Sequence, residues 1–320
     1  MSMNTVKYIL IPTLIVTLFS CQDAKKEASS YAEISTATGG KWVENEYIGN
    51  QEFKNLEHLK VPKQHTDHSN FIRYEGPGWE SDKVAYRLYL DWRNAIDVFG
   101  KKTSELVLEG VGQDGYDSYH IMQDWGMDIL KVGNSLGLGS FGRYDGNEVH
   151  HFKKVDSTLV SIINKTDYSA VNIDYFGWTT ADISTDMKTE LTINSGSRIT
   201  KVVLNRSTTF EGLCTGIVNH NVDYISTHDN QKDWSYMATY GNQSLVPDCL
   251  GMVLFYKTDQ VEVIKEVLNN HLVVFKKEPK NILYYFAAFW EQEPGGITSK
   301  EDFVKYIDKQ LDKLLNQDFL

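Results

Sequence analysis

Short runs of alternating apolar and polar residues dominate the chain. The clearest run, at 83–91, reads KVAYRLYLD. Because successive side chains of a strand point to opposite faces, this run predicts one strand face formed by Val84, Tyr86, Leu88 and Leu90. Further strand-like runs lie at 106–111, 158–164, 171–178, 198–205, 251–256, 271–276 and 282–290. The last run, ILYYFAAFW, is apolar on both faces, which predicts a position deep inside the fold.

A helix is predicted only at the C-terminus. Thr298 and Glu301 have the spacing of a capping box, and apolar residues then recur at helical spacing at Phe303, Ile307, Leu311 and Leu314. The strand-like runs have the spacing of a sandwich and do not alternate with long helices. We therefore predict a mainly β fold: a large antiparallel β-sandwich, of which the mutarotase-like supersandwich is one form, with a C-terminal helix.

The N-terminus resembles a bacterial lipoprotein signal. Lys7 precedes an apolar stretch that is short for a membrane span, and the small residue Ser20 stands before Cys21. We predict a signal peptide at 1–20, lipidation of Cys21, a polar flexible tether at 21–40 and a single catalytic domain at 41–320. These features indicate a lipid anchor in the periplasm or at the outer membrane. An ordinary secretory signal with a chance cysteine is the alternative.

Composition and charge exclude several classes of protein. The 320 residues are 41% hydrophobic and 12% aromatic, which indicates a globular chain. A net charge of −11 argues against nucleic acid as a partner, because such binding depends on basic phosphate contacts. Cys214 and Cys249 could form a disulfide or remain two buried thiols. A glycine-rich stretch at 112–143 is predicted to be a long structured loop, where function is often found.

Two segments carry candidate chemistry. On the strand that begins at Lys83, the residues Arg87, Tyr89, Asp91 and then Arg93 share the face opposite the apolar one, and such a face suits an acidic sugar. The alternative is a solvated face on which Arg87 merely pairs with Asp91. If 119–131 is helical, Asp124 can orient His120 as a base and Trp125 can stack on a sugar ring. The alternative is a structural His–Asp hydrogen bond beneath a buried Trp125.

Longer motifs in these segments carry a resemblance. RYEGPGWESDKVAYRLYLD at 73–91, YHIMQDWGMDILKVG at 119–133, WSYMATYGNQS at 234–244, NHLVVF at 270–275 and YYFAAFW at 284–290 resemble a family of secreted bacterial proteins long described as a domain of unknown function, which includes oligosaccharide dehydratases of ulvan degradation. The resemblance covers residues 41–315. It implies an enzyme that removes water from the non-reducing-end glucuronic or iduronic acid of ulvan oligosaccharides, and a 4,5-unsaturated uronic acid as product.

That reaction removes the weakly acidic C5 proton beside a carboxylate, so it needs a base, an acid for the departing hydroxide, and a positive group on the carboxylate. We predict His120 as the base, oriented by Asp124, with His220 in reserve. Acid or second base is predicted at Tyr74 or Tyr89. The carboxylate and sulfate would be bound by Arg73, Arg87 or Arg93, and sugar stacking is predicted at Trp79 and Trp125. Arg73 and Tyr74 are adjacent, so on a regular strand only one of them would face the site.

No cofactor is predicted. No Cys/His spacing resembles a zinc site, and the Asp114–Asp117 segment is too short for a calcium loop. The sequence leaves open whether a divalent cation neutralises the substrate carboxylate. It also leaves open two other functions. A polysaccharide lyase would use the same β-elimination with a sugar as the leaving group, and a glycan-binding lipoprotein would bind an anionic oligosaccharide without turnover.

Overall fold

The computed structural model describes Met1, residues 29–49 and residues 52–316. The lipidation residue Cys21 and, apart from Met1, the signal peptide at 1–20 lie outside the described residues. No helix among the described residues has both the length and the apolar character needed to cross a membrane.

The described chain is built from antiparallel strands. The first twelve are β1 (Ser30–Glu33), β2 (Ser35–Ala37), β3 (Lys41–Val43), β4 (Glu46–Ile48), β5 (Phe53–Asn55), β6 (His58–Lys60), β7 (Gly78–Ser81), β8 (Ala85–Leu88), β9 (Ile96–Lys101), β10 (Gly126–Asp128), β11 (Leu138–Tyr144) and β12 (Val149–His150). The others are β13 (Ser157–Asn164), β14 (Tyr168–Thr180), β15 (Ile183–Asn194), β16 (Ile199–Arg206), β17 (Leu213–Val218), β18 (Tyr224–Ser226), β19 (Trp234–Asn242), β20 (Cys249–Lys257), β21 (Val261–Val267), β22 (Asn270–Phe275) and β23 (Asn281–Trp290). One α-helix, α1 (Lys300–Leu315), and single 3-10 turns at Arg73–Glu75, Ser118–His120 and Thr258–Gln260 complete the described elements.

Three sheets form the core of the architecture. A nine-stranded sheet has the order β18-β19-β20-β23-β16-β15-β14-β13-β6. One five-stranded sheet, β1-β7-β8-β9-β10, contacts it through β1 and β7, and the other, β12-β11-β17-β22-β21, contacts it through β11 and β17. Two short pairs, β2-β5 and β3-β4, lie outside these sheets. The prediction of a mainly β sandwich with a C-terminal helix is confirmed.

Strand β23 shows why its sequence is apolar on both faces. Tyr284, Phe286 and Trp290 enter the large core shared by the three sheets, whereas Tyr285 and Phe289 pack in a second cluster beneath α1. The strand lies between β20 and β16 in the middle of the nine-stranded sheet. The prediction of a deep position is therefore confirmed, because each face of this strand meets a different apolar layer.

The helix packs as its periodicity predicts. Phe303, Ile307, Leu311 and Leu314 are all buried against the nine-stranded sheet. The predicted capping box is wrong by one residue: the Ser299 side chain, not that of Thr298, accepts from the backbone N–H of Asp302. The carboxyl group of Asp302 in turn lies 2.9 Å from the Ser299 hydroxyl. Either pair has the required three-residue spacing, so spacing alone could not choose between them.

Several boundaries differ from those predicted. The run at 106–111 contains turns and no strand, and the stretch at 112–143 contains β10 and all of β11 except Tyr144. The tether at 21–40 is too long, because Ser30–Glu33 and Ser35–Ala37 are strands with mostly buried residues. The helix at 119–131 is wrong: only Ser118–His120 forms a 3-10 turn, and the chain continues into β10.

The two cysteines of the described chain are free thiols. Cys214 is fully buried on β17, and Cys249 is partly buried at the start of β20. The structure therefore contains no disulfide between them. The predicted alternative of two buried thiols holds for Cys214, whereas Cys249 is only partly buried.

Candidate functional site

Arg87 is the centre of a buried charged cluster on the outer face of the β1-β7-β8-β9-β10 sheet. Arg87 on β8 is directly opposite Asp97 on β9, and its Nη2 donates to Asp97 Oδ2 at 2.8 Å and to Asp128 Oδ2 at 2.6 Å. Its Nη1 donates to the Tyr119 hydroxyl at 3.2 Å. All three charged side chains are buried. The predicted Arg87–Asp91 pair is therefore wrong, and so is a solvated face, because the chain around Tyr119 covers it.

The turn after β8 brings a second arginine beside the first. The strand ends at Leu88, yet the Tyr89 ring lies between the two guanidinium groups, 4.5 Å from Arg87 and 3.9 Å from Arg93. The Tyr89 hydroxyl donates to Asp97 at 2.7 Å. Arg93 donates from Nε to both oxygens of Asp91 at 2.9–3.0 Å. The predicted grouping of these residues is confirmed, although a tight turn and not a continuing strand produces it.

Arg93 keeps one edge of its guanidinium unoccupied. Its Nη2 donates to Asp91 and, at 2.7 Å, to Asp67 Oδ1, whereas its Nη1 makes no hydrogen bond to the described residues. The side chain is 12% exposed, in contrast to the fully buried Arg87 and Arg73. Of the three predicted anion-binding arginines, Arg93 is therefore the one that a ligand can reach.

Arg73 and Tyr74 are committed to a structural contact. Both side chains donate to the buried Glu33 of β1, and Arg73 Nη1 also donates to the carbonyl oxygens of Glu109 and Val111 at 3.0 and 3.2 Å. Their convergence is possible because Arg73–Glu75 is a 3-10 turn in which Tyr74 has φ 38°. The predictions of Arg73 as a substrate ligand and of Tyr74 as an acid or base are corrected: both are buried against Glu33.

A row of aromatic rings borders the arginine cluster. The imidazoles of His68 and His120 lie on either side of Tyr116, with ring centroids 4.3 and 4.8 Å from it, and Tyr119 is 4.5 Å from His120. Tyr116 and His120 are partly exposed, and the His68 side chain is 56% exposed. The row therefore presents two imidazoles and a phenol to solvent beside Arg87 and Glu75.

His120 has the environment of a neutral base. Its Nδ1 lies 2.9 Å from the Tyr116 carbonyl oxygen, so Nδ1 donates and Nε2 carries the lone pair. Nε2 lies 3.5 Å from Asp128 Oδ2. Partial burial, and secondarily the Arg87 charge, lower the pKa of His120 below its ordinary value. The side chain stays 30% exposed, so a substrate can reach it.

Glu75 lines a small cavity, of about 30 Å³, together with His68, Tyr116 and Tyr119. Its side chain is 4% exposed, its Oε1 accepts from the backbone N–H of His68 at 2.7 Å, and its buried Oε2 has no hydrogen-bond partner among the described residues. Burial raises the pKa of Glu75, and the charges of Arg87 and Arg93 oppose that rise. Burial also raises the pKa of Tyr116 to about 12, with a contribution from Glu75.

The backbone around this cavity is strained. Tyr74 and Glu75 are consecutive residues at φ 38° and 68°, and His68 and Asn70 have φ 56° and 61°. A non-glycine residue at positive φ costs about 1–3 kcal/mol where the conformation is sparsely populated, and such residues cluster at functional sites. The strain thus favours this rim of the five-stranded sheet as the functional site.

Asp67, His68 and Glu75 place three groups of metal-ligating type close together. One ligand atom from each lies within 4.8 Å of the others. The guanidinium of Arg93 already lies 2.7 Å from Asp67 Oδ1 and 3.5 Å from Glu75 Oε1, so it supplies a positive charge to both carboxyl groups. The Arg93 guanidinium therefore already contributes positive charge beside this group of residues.

Four predicted site residues lie elsewhere or point elsewhere. Asp124 is exposed and does not contact His120, whose carboxylate neighbour is Asp128, because the segment is not helical. Trp79 is fully buried and donates from Nε1 to Thr200 at 2.9 Å, so it cannot stack on a sugar.

Trp125 packs edge-on against Phe99 at 6.0 Å and is half-buried, in a cluster beneath the loop. His220 follows β17, in the other five-stranded sheet, with backbone hydrogen bonding to Lys131. It has no contact with Arg87, Arg93 or the ring row in the described chain.

Sequence reasoning missed His68, Tyr116 and Glu75. Tyr116 is four residues before His120, and Glu75 lies in the quoted motif at 73–91, so both were near segments already singled out. No spacing rule connects His68 and Glu75 to Tyr116, because the first two lie in the connection between β6 and β7 and Tyr116 lies in the connection between β9 and β10.

Comparison with known proteins identifies one similarity. A family model described as a domain of unknown function (DUF4861) matches residues 13–317. No curated protein and no solved structure matches the chain.

Proposed function

The chain belongs to the DUF4861 family, and from that premise we propose that it is a dehydratase that eliminates water from the terminal uronic acid of ulvan-type oligosaccharides. The observation that supports this most directly is that an accessible guanidinium edge on Arg93 and a neutral, accessible imidazole on His120 border the same buried Arg87 cluster. Arg93 lies over the Tyr89 ring, His120 Nε2 is 3.5 Å from Asp128, and Tyr89 and Asp128 both hydrogen-bond to Arg87. These are the two groups that proton abstraction beside a carboxylate requires.

Arg93 would bind the substrate carboxylate. Its Nε and Nη2 are fixed by Asp91 and Asp67, so the guanidinium is held in place before the substrate arrives. Nη1 is then the donor for the uronate, and its charge stabilises the enolate-like character that develops at the carboxyl group when C5 loses its proton. Arg87 supplies a second positive charge nearby without touching the substrate.

His120 would accept the C5 proton at Nε2. The electron pair of the C5–H bond forms the C4=C5 double bond, and the C4–O bond breaks. The leaving hydroxide takes a proton from the Tyr116 hydroxyl and departs as water. The C5 proton on His120 is afterwards returned to Tyr116 through solvent, which restores both groups. Tyr116 replaces the predicted Tyr74 and Tyr89 because their hydroxyls are buried and donate to Glu33 and Asp97.

His68 would serve as the base for the opposite epimer. The C5 protons of glucuronate and iduronate lie on opposite faces of the ring, so one fixed base cannot reach both. His68 Nδ1 is 2.8 Å from Asp67 Oδ1, which orients the imidazole, and it lies across Tyr116 from His120. Two bases flanking one phenol therefore match a substrate with two epimers.

The test is incubation with defined uronate-terminated oligosaccharides and mass spectrometry of the products. A dehydratase gives a product lighter by one water with unchanged chain length. A polysaccharide lyase gives two shorter chains, and a glycan-binding lipoprotein gives no unsaturated, ultraviolet-absorbing acid; either outcome would overturn the proposal.

The matched variants are His120→Ala and His150→Ala. His150 is a partly exposed histidine that pairs with Asp145 at 2.7 Å, away from the ring row. We expect His120→Ala to lose at least about a hundredfold in turnover, the usual contribution of a general base, and His150→Ala to keep it. Equal activity of the two variants on both epimers would show that His120 is not the base.

We also propose that the protein is exported and lipid-anchored through Cys21. The support is the sequence pattern at 1–21. Growth with a labelled fatty acid should label the wild-type protein and not a Cys21→Ser variant. Label on both proteins, or on neither, would contradict the anchor.

A further inference from the structure

A second cavity lies next to Asp91, the carboxyl partner of Arg93. It has a volume of about 480 Å³ and is lined by three segments: 61–66, the turn at 90–94, and 152–158. Its lining residues include Trp92, Lys63, Lys153 and His65. The dehydratase mechanism proposed above uses none of these four side chains.

This groove and the Arg93 site share one rigid frame. Asp91 lines the groove with its carboxyl group held by Arg93, and Trp92 is the residue between them. The turn at 90–94 is held by two hydrogen bonds from the segment that follows β12. Phe152 N–H donates to the Trp92 carbonyl oxygen at 2.9 Å, and His151 Nδ1 lies 2.8 Å from the Arg93 carbonyl oxygen. The groove therefore begins at the carboxyl partner of Arg93, next to the proposed position of the substrate carboxylate.

The side chains of the groove suit an anionic sugar. Trp92 is partly exposed and has the Lys153 ammonium group 5.6 Å from its ring centroid. Lys63 and Lys153 are exposed and form no ion pair with the described residues. Of the two acidic lining residues, Asp91 is paired with Arg93, which leaves Asp156 as one negative charge against these two positive charges. An aromatic ring with two unpaired ammonium groups binds the apolar face of a sugar and an anionic substituent on it.

His65 supplies an independent sign of a ligand. Its Nδ1 lies 2.8 Å from the Ser69 hydroxyl, whereas its Nε2 is shielded from solvent and makes no hydrogen bond to the described residues. A buried polar atom without a partner is costly, and a sugar hydroxyl in the groove would satisfy it.

We propose that this groove is the binding site for the second sugar of the substrate, with Trp92 stacking on the ring and Lys63 and Lys153 binding an anionic group on it. The proposal rests on the proposed function, because it assumes that Arg93 binds the terminal uronate. It predicts that the enzyme prefers oligosaccharides that carry an anionic substituent on the penultimate sugar over free uronic acid.

The test measures binding and turnover separately, with three probes. These are a uronate-terminated trisaccharide with a sulfate on the second sugar, the same trisaccharide without sulfate, and free glucuronate. The variants are Trp92→Ala and Lys63→Ala/Lys153→Ala. Lys154→Ala is the control, because Lys154 is an exposed neighbour of Lys153 that does not line the groove. Calorimetry gives Kd, and absorbance of the unsaturated acid gives turnover.

We expect Trp92→Ala to raise Kd about tenfold for both trisaccharides, which corresponds to about 1.4 kcal/mol. The double lysine variant should raise Kd about threefold to tenfold for the sulfated trisaccharide only, and it should reduce the salt dependence of that binding. Free glucuronate should bind all variants as it binds the wild type.

Two outcomes separate this proposal from the proposed function. If the wild type converts the trisaccharides and the groove variants match it in Kd and turnover, the groove proposal is wrong while the dehydratase proposal stands. If the wild type converts nothing but binds the trisaccharides in a way that depends on Trp92, the dehydratase proposal is wrong and the groove stands. Loss of stability in Trp92→Ala is checked with Trp92→Phe, which should keep most of the binding.

Discussion

Replacing Arg93 is the sharpest test of the proposed site, because one part of its guanidinium binds neighbouring carboxyl groups and the other part is proposed to bind the substrate. Nε and Nη2 hold Asp91 and Asp67, and Nη1 is open. Removal of one preorganised donor from an oxyanion site costs about 2.7–4 kcal/mol in the transition state, so we expect Arg93→Ala to lower kcat by about 10²–10³-fold.

The same substitution also removes the partner of a buried carboxylate. The Asp91 side chain is 0% exposed, and breaking a fully buried pair costs about 3–5 kcal/mol. Since Arg93 itself is 12% exposed, water can enter the vacated space, and the loss of folding free energy should be smaller than that range. Arg93→Lys keeps the charge for Asp91 but loses the planar fork, so it should restore stability more than activity.

The assay combines urea unfolding with turnover of a uronate-terminated oligosaccharide at concentrations where every variant is folded. Arg143→Ala is the matched control: its Nη1 is 3.0 Å from the exposed carboxyl group of Asp182, far from the ring row. If folded Arg93→Ala keeps kcat/KM within about threefold of the wild type, a group other than Arg93 binds the carboxylate and the reasoning fails.

Three further predictions concern the bases and the buried cluster. His68→Ala and His120→Ala should each lose turnover on a different uronate epimer, measured with glucuronate- and iduronate-terminated substrates; parallel losses would exclude two bases. Because the lowered pKa of His120 keeps its imidazole neutral to lower pH, kcat/KM should decline on the acid side only below about pH 6.5, the ordinary histidine pKa; a decline that begins well above this pH in a full pH profile would contradict His120 as base. Arg87→Met leaves two buried carboxyl groups without their cation and should cost about 3–5 kcal/mol of unfolding free energy, measured in urea; a change below about 1 kcal/mol would show that the cluster is not structural.

The class of fold was predictable because burial imposes a strict period on strands. Even so, β15 escaped prediction: its residues Thr185, Met187, Thr189, Leu191 and Ile193 are buried in perfect alternation. Threonine at two of these positions weakens the apolar signal, since its methyl group packs inward while its hydroxyl makes it count as polar. Periodicity read from hydrophobicity alone therefore underestimates strands rich in threonine.

The candidate site was predictable in its local part only. Arg87, Tyr89 and Arg93 lie within one short segment of the chain, so their closeness in space could be predicted from the sequence. The acidic partners could not be found in the same way, because Asp97 lies on the next strand, Asp128 on the one after it, and Glu33 in a stretch that reads as a polar tether. Which arginine is open to a ligand depends on those partners, so the sequence could not separate Arg93 from Arg73.

The charge balance decides how a site with so many carboxyl groups can accept an anion. Arg93 faces Asp91, Asp67 and Glu75, so full ionisation would leave a negative field where the uronate must bind. Burial counteracts this by raising the pKa of Glu75, and it raises the pKa of Asp128 beside Arg87 in the same way. Each arginine thus has one carboxyl neighbour that is disposed to hold a proton, and a protonated neighbour hydrogen-bonds without repelling the substrate. An acidic protein can in this way present a locally receptive surface to an acidic sugar.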